Sequence, residues 1–306
     1  MTNCRLSTKP RTTGAAGVRF RVLREDAAAS CAVVRALCAA ILVLFLSCCA
    51  SGPSAPQPGT PAFYWGAAGE TWRSGDYLKT LDNLSQLTAN QNDFTVKARP
   101  WEIIVASGIA RGYVDLSDAA ETAMKKSPAR AIPIRRQMTA WRGNANSTAL
   151  ELADTFQKFL AANKETTVPL EFSWPPVGSA ASPTQLDRFA SGTPLSAADA
   201  EGLETAMIQR GVMLAAARVT GSGEDTAKAQ EIFKQPKPAA PAETFLVNMG
   251  QVFYDLSELY GPRKLDTPHR RDMMITLATM ALKPWPQDKA ATSLLQRIQK
   301  ETKATR

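Results

Sequence analysis

The sequence predicts an all-α fold, in which antiparallel helix pairs either stack as an α-solenoid or pack as a helical bundle. From Phe63 onward, apolar residues recur at the spacing of a helix nearly everywhere. We find no alternating segment long enough to predict a half-buried strand. Short breaks rich in Gly and Pro separate the periodic segments, and they divide most of them into pairs. These three observations together indicate a helical domain.

The first element is a leader, because basic residues precede a short apolar run. Four arginines between positions 19 and 35 come before the run from Ala36 to Leu46. This run is shorter than the roughly 20 residues that a membrane-spanning helix needs, so a permanent transmembrane anchor is less favoured. A buried core helix is also disfavoured, since a Pro/Gly/Ser-rich stretch follows. We predict a signal peptide with an N-terminal extension at 1–47 and a linker at 48–61.

The end of the apolar run, Leu46-Ser47-Cys48-Cys49, resembles the lipobox of bacterial lipoproteins. In those proteins a small residue precedes a cysteine, whose thiol carries the diacylglycerol. Cys48 follows Ser47 and is the first candidate for lipidation, while Cys49 has Leu46 at the preferred position three residues back and is the alternative. Neither cysteine is followed by Asp, which by the same resemblance implies a lipid-anchored protein of the outer membrane that faces the periplasm.

Charge and cysteine are concentrated in this leader. The chain has a formal net charge of +8, but residues 1–47 hold seven basic and two acidic residues, and the remainder is about +3. All five cysteines lie within the first 49 residues. We therefore expect neither a disulfide framework nor a thiolate metal site in the folded domain. The remaining basic residues form scattered pairs, so we expect no nucleic-acid partner.

The next segment, residues 63–92, resembles a tetratricopeptide repeat. Small residues would let its two helices approach closely, a glycine would make the turn, and leucines would fill the space behind. Ten residues fall on the spacing of the repeat: Tyr64, Ala67, Ala68, Gly75, Asp76, Tyr77, Thr80, Leu84, Leu87 and Asn92. We predict that six of them pack the repeat: Ala67, Ala68, Gly75, Tyr77, Leu84 and Leu87.

Further helix pairs match the repeat less well. The second would comprise Trp101–Tyr113 and Leu116–Lys126, with Pro100 in its first turn and Pro128 closing it. A later pair, Glu204–Val219 and Thr226–Phe233, has suitable lengths but lacks the turn signature. We therefore predict tetratricopeptide-like repeats over 62–167, a proline-rich loop over 168–183 and a helical C-terminal part over 184–306.

The C-terminal part contains clear helix signals. Ser196 and Asp199 form a capping box before the long helix that runs to Val219. Thr267 and Pro268 open a later helix. Apolar stripes at helical spacing occupy residues 245–260, 274–281 and 291–298, and Gly261 with Pro262 ends the first of them.

Chemistry-bearing motifs are scarce. His269 is the only histidine, and we expect it to be solvated at the start of its helix. The usual hydrolase, zinc-protease and nucleotide-binding motifs do not occur. A pair of carboxylates for glycoside hydrolysis needs no local spacing and stays open. The neighbours Asp255 with Glu258 and Glu201 with Glu204 are interpreted as solvated helix faces. We predict no catalytic residue, no metal and no cofactor.

Three functions follow, in order of preference. The first is a membrane-anchored scaffold that binds envelope proteins through the surface of its stacked helices, as the resemblance to repeat lipoproteins implies. The alternative is a small-ligand-binding lipoprotein similar to the helical-repeat partners of periplasmic transporters, with a pocket of convergent aromatic and Arg residues. The third is a cell-wall hydrolase. The six tryptophans either pack between helices, which we prefer, or line a binding groove.

Overall fold

The computed structural model describes residues 56–176, 183–193 and 195–304, and it confirms the all-α prediction. The predicted signal peptide and both candidate lipidation cysteines, Cys48 and Cys49, lie outside these residues. The described helices are, in chain order, α1 Pro61–Ser74, α2 Tyr77–Thr88, α3 Thr95–Lys126, α4 Ala131–Ala162, α5 Pro183–Ala190, α6 Ala197–Val219, α7 Thr226–Phe233, α8 Ala242–Ser257, α9 Pro268–Leu282 and α10 Lys289–Ala304. Short 3₁₀ turns at Pro128–Arg130 and Glu258–Tyr260 precede α4 and follow α8.

Local capping explains the bounds of α1 and α2. The Thr60 side chain accepts a hydrogen bond from the backbone N–H of Phe63, and Pro61 occupies the first helical position. Gly75 ends α1 in the left-handed conformation, with φ of 75°, which glycine adopts without steric cost. Asp76 then caps α2 through the N–H of Lys79. The two helices therefore form a tight hairpin.

Helix α3 is the central helix, and its middle section is buried on all sides. Every residue from Trp101 to Ala110 is buried, because α2, α4, α5 and α6 all pack against this helix. The helical spacing in the sequence predicts a single apolar stripe of Trp101, Ile104, Val105, Gly108, Ile109 and Gly112. In the structure the intervening residues, including Ile103 and Ala106, are fully buried as well. A helix that is apolar around its whole circumference is expected at the centre of a bundle.

The predicted second helix pair, Trp101–Tyr113 and Leu116–Lys126, is wrong. These residues belong to one continuous helix, α3, which begins at Thr95 and therefore contains Pro100 in its interior. Proline inside a helix costs about 3 kcal/mol. The dense burial that follows Pro100 outweighs this cost, and no glycine or proline breaks the chain between Tyr113 and Leu116.

Helices α3 and α6 cross at a seam of glycines. A Cβ atom on Gly211 would lie 2.1 Å from the carbonyl oxygen of Gly108, and one on Gly108 would lie 2.4 Å from the Cα of Val212. Gly112 faces the backbone of Met207 at a similarly short distance, 2.8 Å. The backbones thus touch directly, and the helices assigned to the repeats and to the C-terminal part share one core.

A short β-ribbon joins the start of the predicted loop, 168–183, to a strand in the part predicted to be helical, 184–306. Strand β1, Thr167–Pro169, pairs antiparallel with β2, Ala239–Pro241, and Val168 lies opposite Ala240. Strands of three residues show no usable periodicity in the sequence. After β1, Phe172 packs on Trp101 with ring centroids 5.0 Å apart. This contact holds the segment after the ribbon against α3.

The C-terminal helices begin as the sequence predicts. Ser196 accepts a hydrogen bond from the N–H of Asp199 at the start of α6, and α9 begins at Pro268 after Thr267. Helix α9 packs along α8, and α10 packs against both of them at the end of the bundle. His269 is exposed in the first turn of α9.

Candidate functional site

The six predicted repeat-packing residues all lie on the α1–α2 hairpin. Ala67 is half-buried there, and the other five are buried: Ala68, Gly75, Tyr77, Leu84 and Leu87. Ala68 is 0% exposed. The carbonyl oxygen of Gly75 also accepts a hydrogen bond from Nε2 of Gln209 on α6. The turn between α1 and α2 is therefore fastened to the C-terminal part.

Three of the six tryptophans are buried inside the bundle. Trp72, Trp101 and Trp141 are at most 3% exposed, and the rings of Trp72 and Trp101 are 4.8 Å apart in an edge-on arrangement. The indole N–H of Trp72 donates to the carbonyl of Ser173. Packing between helices therefore accounts for these three residues.

A charged cleft, which the sequence analysis did not identify, opens where α3, α6 and α8 meet. It has a cavity volume of about 80 Å³. Its walls combine an apolar surface with three arginines and three acidic residues. The lining residues are Ser107, Arg111, Val114, Asp115, Arg210, Gly211, Leu214, Ala215, Arg218, Glu224, Val252, Asp255 and Leu256. Asp255 belongs to this cleft, so its interpretation as part of a solvated helix face is corrected.

Two of the three arginines in the charged cleft form ion pairs with acidic neighbours. Nε of Arg111 lies 2.8 Å from Oδ1 of Asp115, and its Nη1 lies 3.9 Å from Oδ2 of Asp255. Nη2 of Arg218 lies 2.7 Å from Oε1 of Glu224. Among the described residues, Arg210 makes no ion pair within 4 Å, and its charge acts on Asp115 and Glu224 only from a longer distance.

Burial and charge act in opposite directions on the carboxylates of this cleft. Burial raises the pKa of Asp115, although the guanidinium groups of Arg111 and Arg210 favour its ionised form. The hydrogen bond from Arg218 lowers the pKa of Glu224, which is much more exposed. The pKa values of the two carboxyl groups thus shift in opposite directions, because Asp115 is largely shielded from water and Glu224 stays solvated.

Glu204, on α6, is an internal acceptor, and its interpretation as part of a solvated face is corrected. Its Oε1 accepts from the Tyr113 hydroxyl at 2.9 Å, and its Oε2 accepts from Nε1 of Trp141 at 2.9 Å. Burial, reinforced by this carboxylate, raises the pKa of Tyr113. One side chain therefore ties α6 to both α3 and α4, while its neighbour Glu201 is exposed.

A second internal carboxylate lies between α2, α3 and α4. Glu102 is 3% exposed and accepts hydrogen bonds from the hydroxyls of Thr88 and Thr155, at 2.5 and 2.8 Å. Burial raises its pKa, while the two hydroxyl donors oppose the shift. Both oxygens are thus satisfied by neutral donors, and the group joins three helices.

An apolar groove opens between α9 and α10, with a volume of about 520 Å³. We call it the C-terminal groove. Met280, which lines the groove, is 48% exposed, so its apolar side chain is accessible to a partner. Lys283 and Lys303 are the only charged residues in the lining, which comprises Ile275, Thr276, Thr279, Met280, Lys283, Ile298, Gln299, Thr302 and Lys303.

The described residues contain no group of three or more His, Cys, Asp or Glu that could hold a metal ion. In the same part of the chain, no helix is both long and apolar enough to cross a membrane. Comparison of the chain with known protein families, with curated proteins and with solved structures gives no match. The chemistry of the charged cleft and the C-terminal groove is therefore the basis for a functional proposal.

Proposed function

We propose that this chain is a lipid-anchored protein of the cell envelope that binds another protein through its C-terminal groove. The observation that carries the proposal is the groove itself, an apolar channel with basic side chains and an exposed methionine. Methionine is flexible and polarisable, and it suits surfaces that receive an apolar partner.

The shape of the groove favours a helix as its occupant. Helices α9 and α10 form its walls, and the apolar face of a partner helix laid between them would cover Ile275 and Met280. This is the helix-in-groove mode of recognition, in which residues at i, i+3, i+4 and i+7 supply the anchors. A helical partner segment would satisfy its own backbone and bury only side chains.

Charge selects an acidic partner. Residues 263–306 carry ten basic and four acidic residues, whereas residues 48–262 carry 19 basic and 22 acidic residues. The excess positive charge of the domain is thus confined to the segment that forms the groove. An acidic amphipathic helix on an envelope protein would complement both the apolar side chains and the two lysines that line the groove.

The predicted anchor would limit where that partner can be. If Cys48 is acylated, the start of α1 at Pro61 lies 13 positions further along the chain. A proline-rich linker of this length reaches about 40 Å at roughly 3.1 Å per residue. The domain would therefore work close to the membrane, and its partner would be a membrane protein or a protein bound near the surface.

Photocrosslinking in the native membrane tests the proposal. We expect benzoylphenylalanine at Met280 to crosslink one envelope protein through an acidic helical segment, identified by mass spectrometry of the adduct. The matched control is the same probe at Ile132, which is 70% exposed on α4, away from the groove. The control should not give this adduct.

Substitution in the groove distinguishes the mode of binding. Met280→Leu should retain the adduct formed from a neighbouring probe at Thr276, while Met280→Glu should abolish it by repelling an acidic helix. Adducts with lipid only, equal adducts from Ile132, or unchanged crosslinking in Met280→Glu would each contradict the proposal.

A further inference from the structure

The charged cleft between α3, α6 and α8 lies apart from the C-terminal groove, and the two share no lining residue. We infer that this cleft binds a small organic carboxylate with a short apolar chain, whose carboxylate pairs with Arg210. This inference goes beyond the proposed function, because the site and the class of ligand are both different.

The ion pairs of the cleft leave Arg210 as the group that can receive an anion. Arg111 is engaged by Asp115 and Asp255, and Arg218 is engaged by Glu224. Arg210 is half-buried and makes no such pair among the described residues. A guanidinium presents its N–H donors in a planar fork that matches the two oxygens of a carboxylate.

The three acids do not make the cleft a cation site. Asp115 and Asp255 share the guanidinium of Arg111, and the amide of Gln251 also donates to Asp255 at 2.7 Å. The partnered carboxylates are therefore neutralised and oriented toward their own cations. The formal charges of the lining residues sum to zero. Among the described residues of the cleft, the one charged side chain without an ion pair within 4 Å is Arg210, so an incoming anion meets no excess of negative charge.

The remaining wall selects an apolar chain of limited length. Val114, Leu214 and Val252 are half-buried and Leu256 is buried, and together they face the cavity. Its volume is about 80 Å³, on a scale on which one water takes roughly 10–15 Å³. The cavity has room for only a few heavy atoms. Nucleotides and long acyl chains are therefore too large to be enclosed in it.

Calorimetric titration of the full chain in non-ionic detergent tests the inference, with acetate, propionate, butyrate and inorganic phosphate at matched ionic strength. We expect affinity to rise about fourfold per added methylene up to butyrate, since each one leaves water for the apolar wall. Phosphate should bind at least tenfold more weakly than butyrate. Leu214→Ala should weaken butyrate binding and leave acetate binding unchanged.

Arg210→Gln should lower the affinity for butyrate at least tenfold, while its helical circular dichroism and thermal unfolding stay unchanged. Arg73→Gln is the matched control, because Arg73 is an exposed arginine on α1 that bonds only its own helix. No measurable binding of any carboxylate, equal binding by Arg210→Gln, or phosphate binding as tight as butyrate would overturn the inference. None of these results depends on crosslinking at Met280, so the two proposals fail separately.

Discussion

Gly108→Ala is expected to destabilise the domain by about 3 kcal/mol, at the upper end of the usual cost of overpacking. The added methyl group would lie 2.4 Å from the Cα and 2.5 Å from the backbone nitrogen of Val212. Backbone atoms cannot rotate away as a flexible side chain can, so α3 and α6 must separate along their contact. Chemical denaturation of both proteins, followed by circular dichroism, measures the difference.

The control for this substitution is Gly143→Ala. Gly143 also lies inside a long helix, α4, but a Cβ atom there meets nothing within 4 Å. Alanine at that position should stabilise the domain by up to about 1 kcal/mol, since it favours the helix more than glycine does. If both substitutions changed the stability in the same direction and by similar amounts, the close crossing of α3 and α6 would be wrong.

Glu204→Leu is expected to lower the free energy of unfolding by about 3 kcal/mol, because it removes the carboxylate that accepts hydrogen bonds from two buried donors. The Tyr113 hydroxyl and the Trp141 indole N–H would each lose the Glu204 oxygen that they now bond. An unsatisfied buried donor costs roughly 1–3 kcal/mol. Glu204→Gln should be intermediate, since its amide offers one acceptor oxygen where the carboxylate offers two.

Glu201→Leu serves as the matched control, one helical turn earlier on α6. Glu201 is exposed and should tolerate leucine within about 0.5 kcal/mol. Equal unfolding free energies for the two leucine variants would show that Glu204 does not join α6 to α3 and α4.

The local signals in the sequence predicted the hairpin and several helix ends. Proline, glycine and a side-chain cap act within four residues of their position, so the turn at Gly75 and the helix starts at Ser196 and Pro268 could be inferred without knowledge of the fold. The apolar stripe on α3 identified a helix for the same reason. It did not show that the helix is central, because burial of the other faces depends on which elements pack around it.

The charged cleft and the internal carboxylates could not be predicted in this way. The residues of the cleft extend from Ser107 to Leu256 and come from three helices and the turn after α6, so their contact depends on how these helices cross. Glu204 has an acidic neighbour, Glu201, on the same helix, and Asp255 has one, Glu258, in the 3₁₀ turn that follows its helix. Such spacing is typical of solvated faces. Only the tertiary contacts with Tyr113, Trp141 and Arg111 distinguish them from surface residues.

Lipid attachment at Cys48 or Cys49 decides whether this domain is held at a membrane, and it can be measured directly. We expect the full chain, made in a Gram-negative host with labelled palmitate, to take up the label and to enter the detergent phase on Triton X-114 partition. A variant with both Cys48→Ser and Cys49→Ser should do neither, since serine lacks the thiol that carries the lipid. A variant with Cys31→Ser and Cys38→Ser changes two cysteines of the same leader and should label normally. Label that persists in the Cys48/Cys49 variant, or a native chain that takes up none, would contradict the proposal of a lipid-anchored envelope protein.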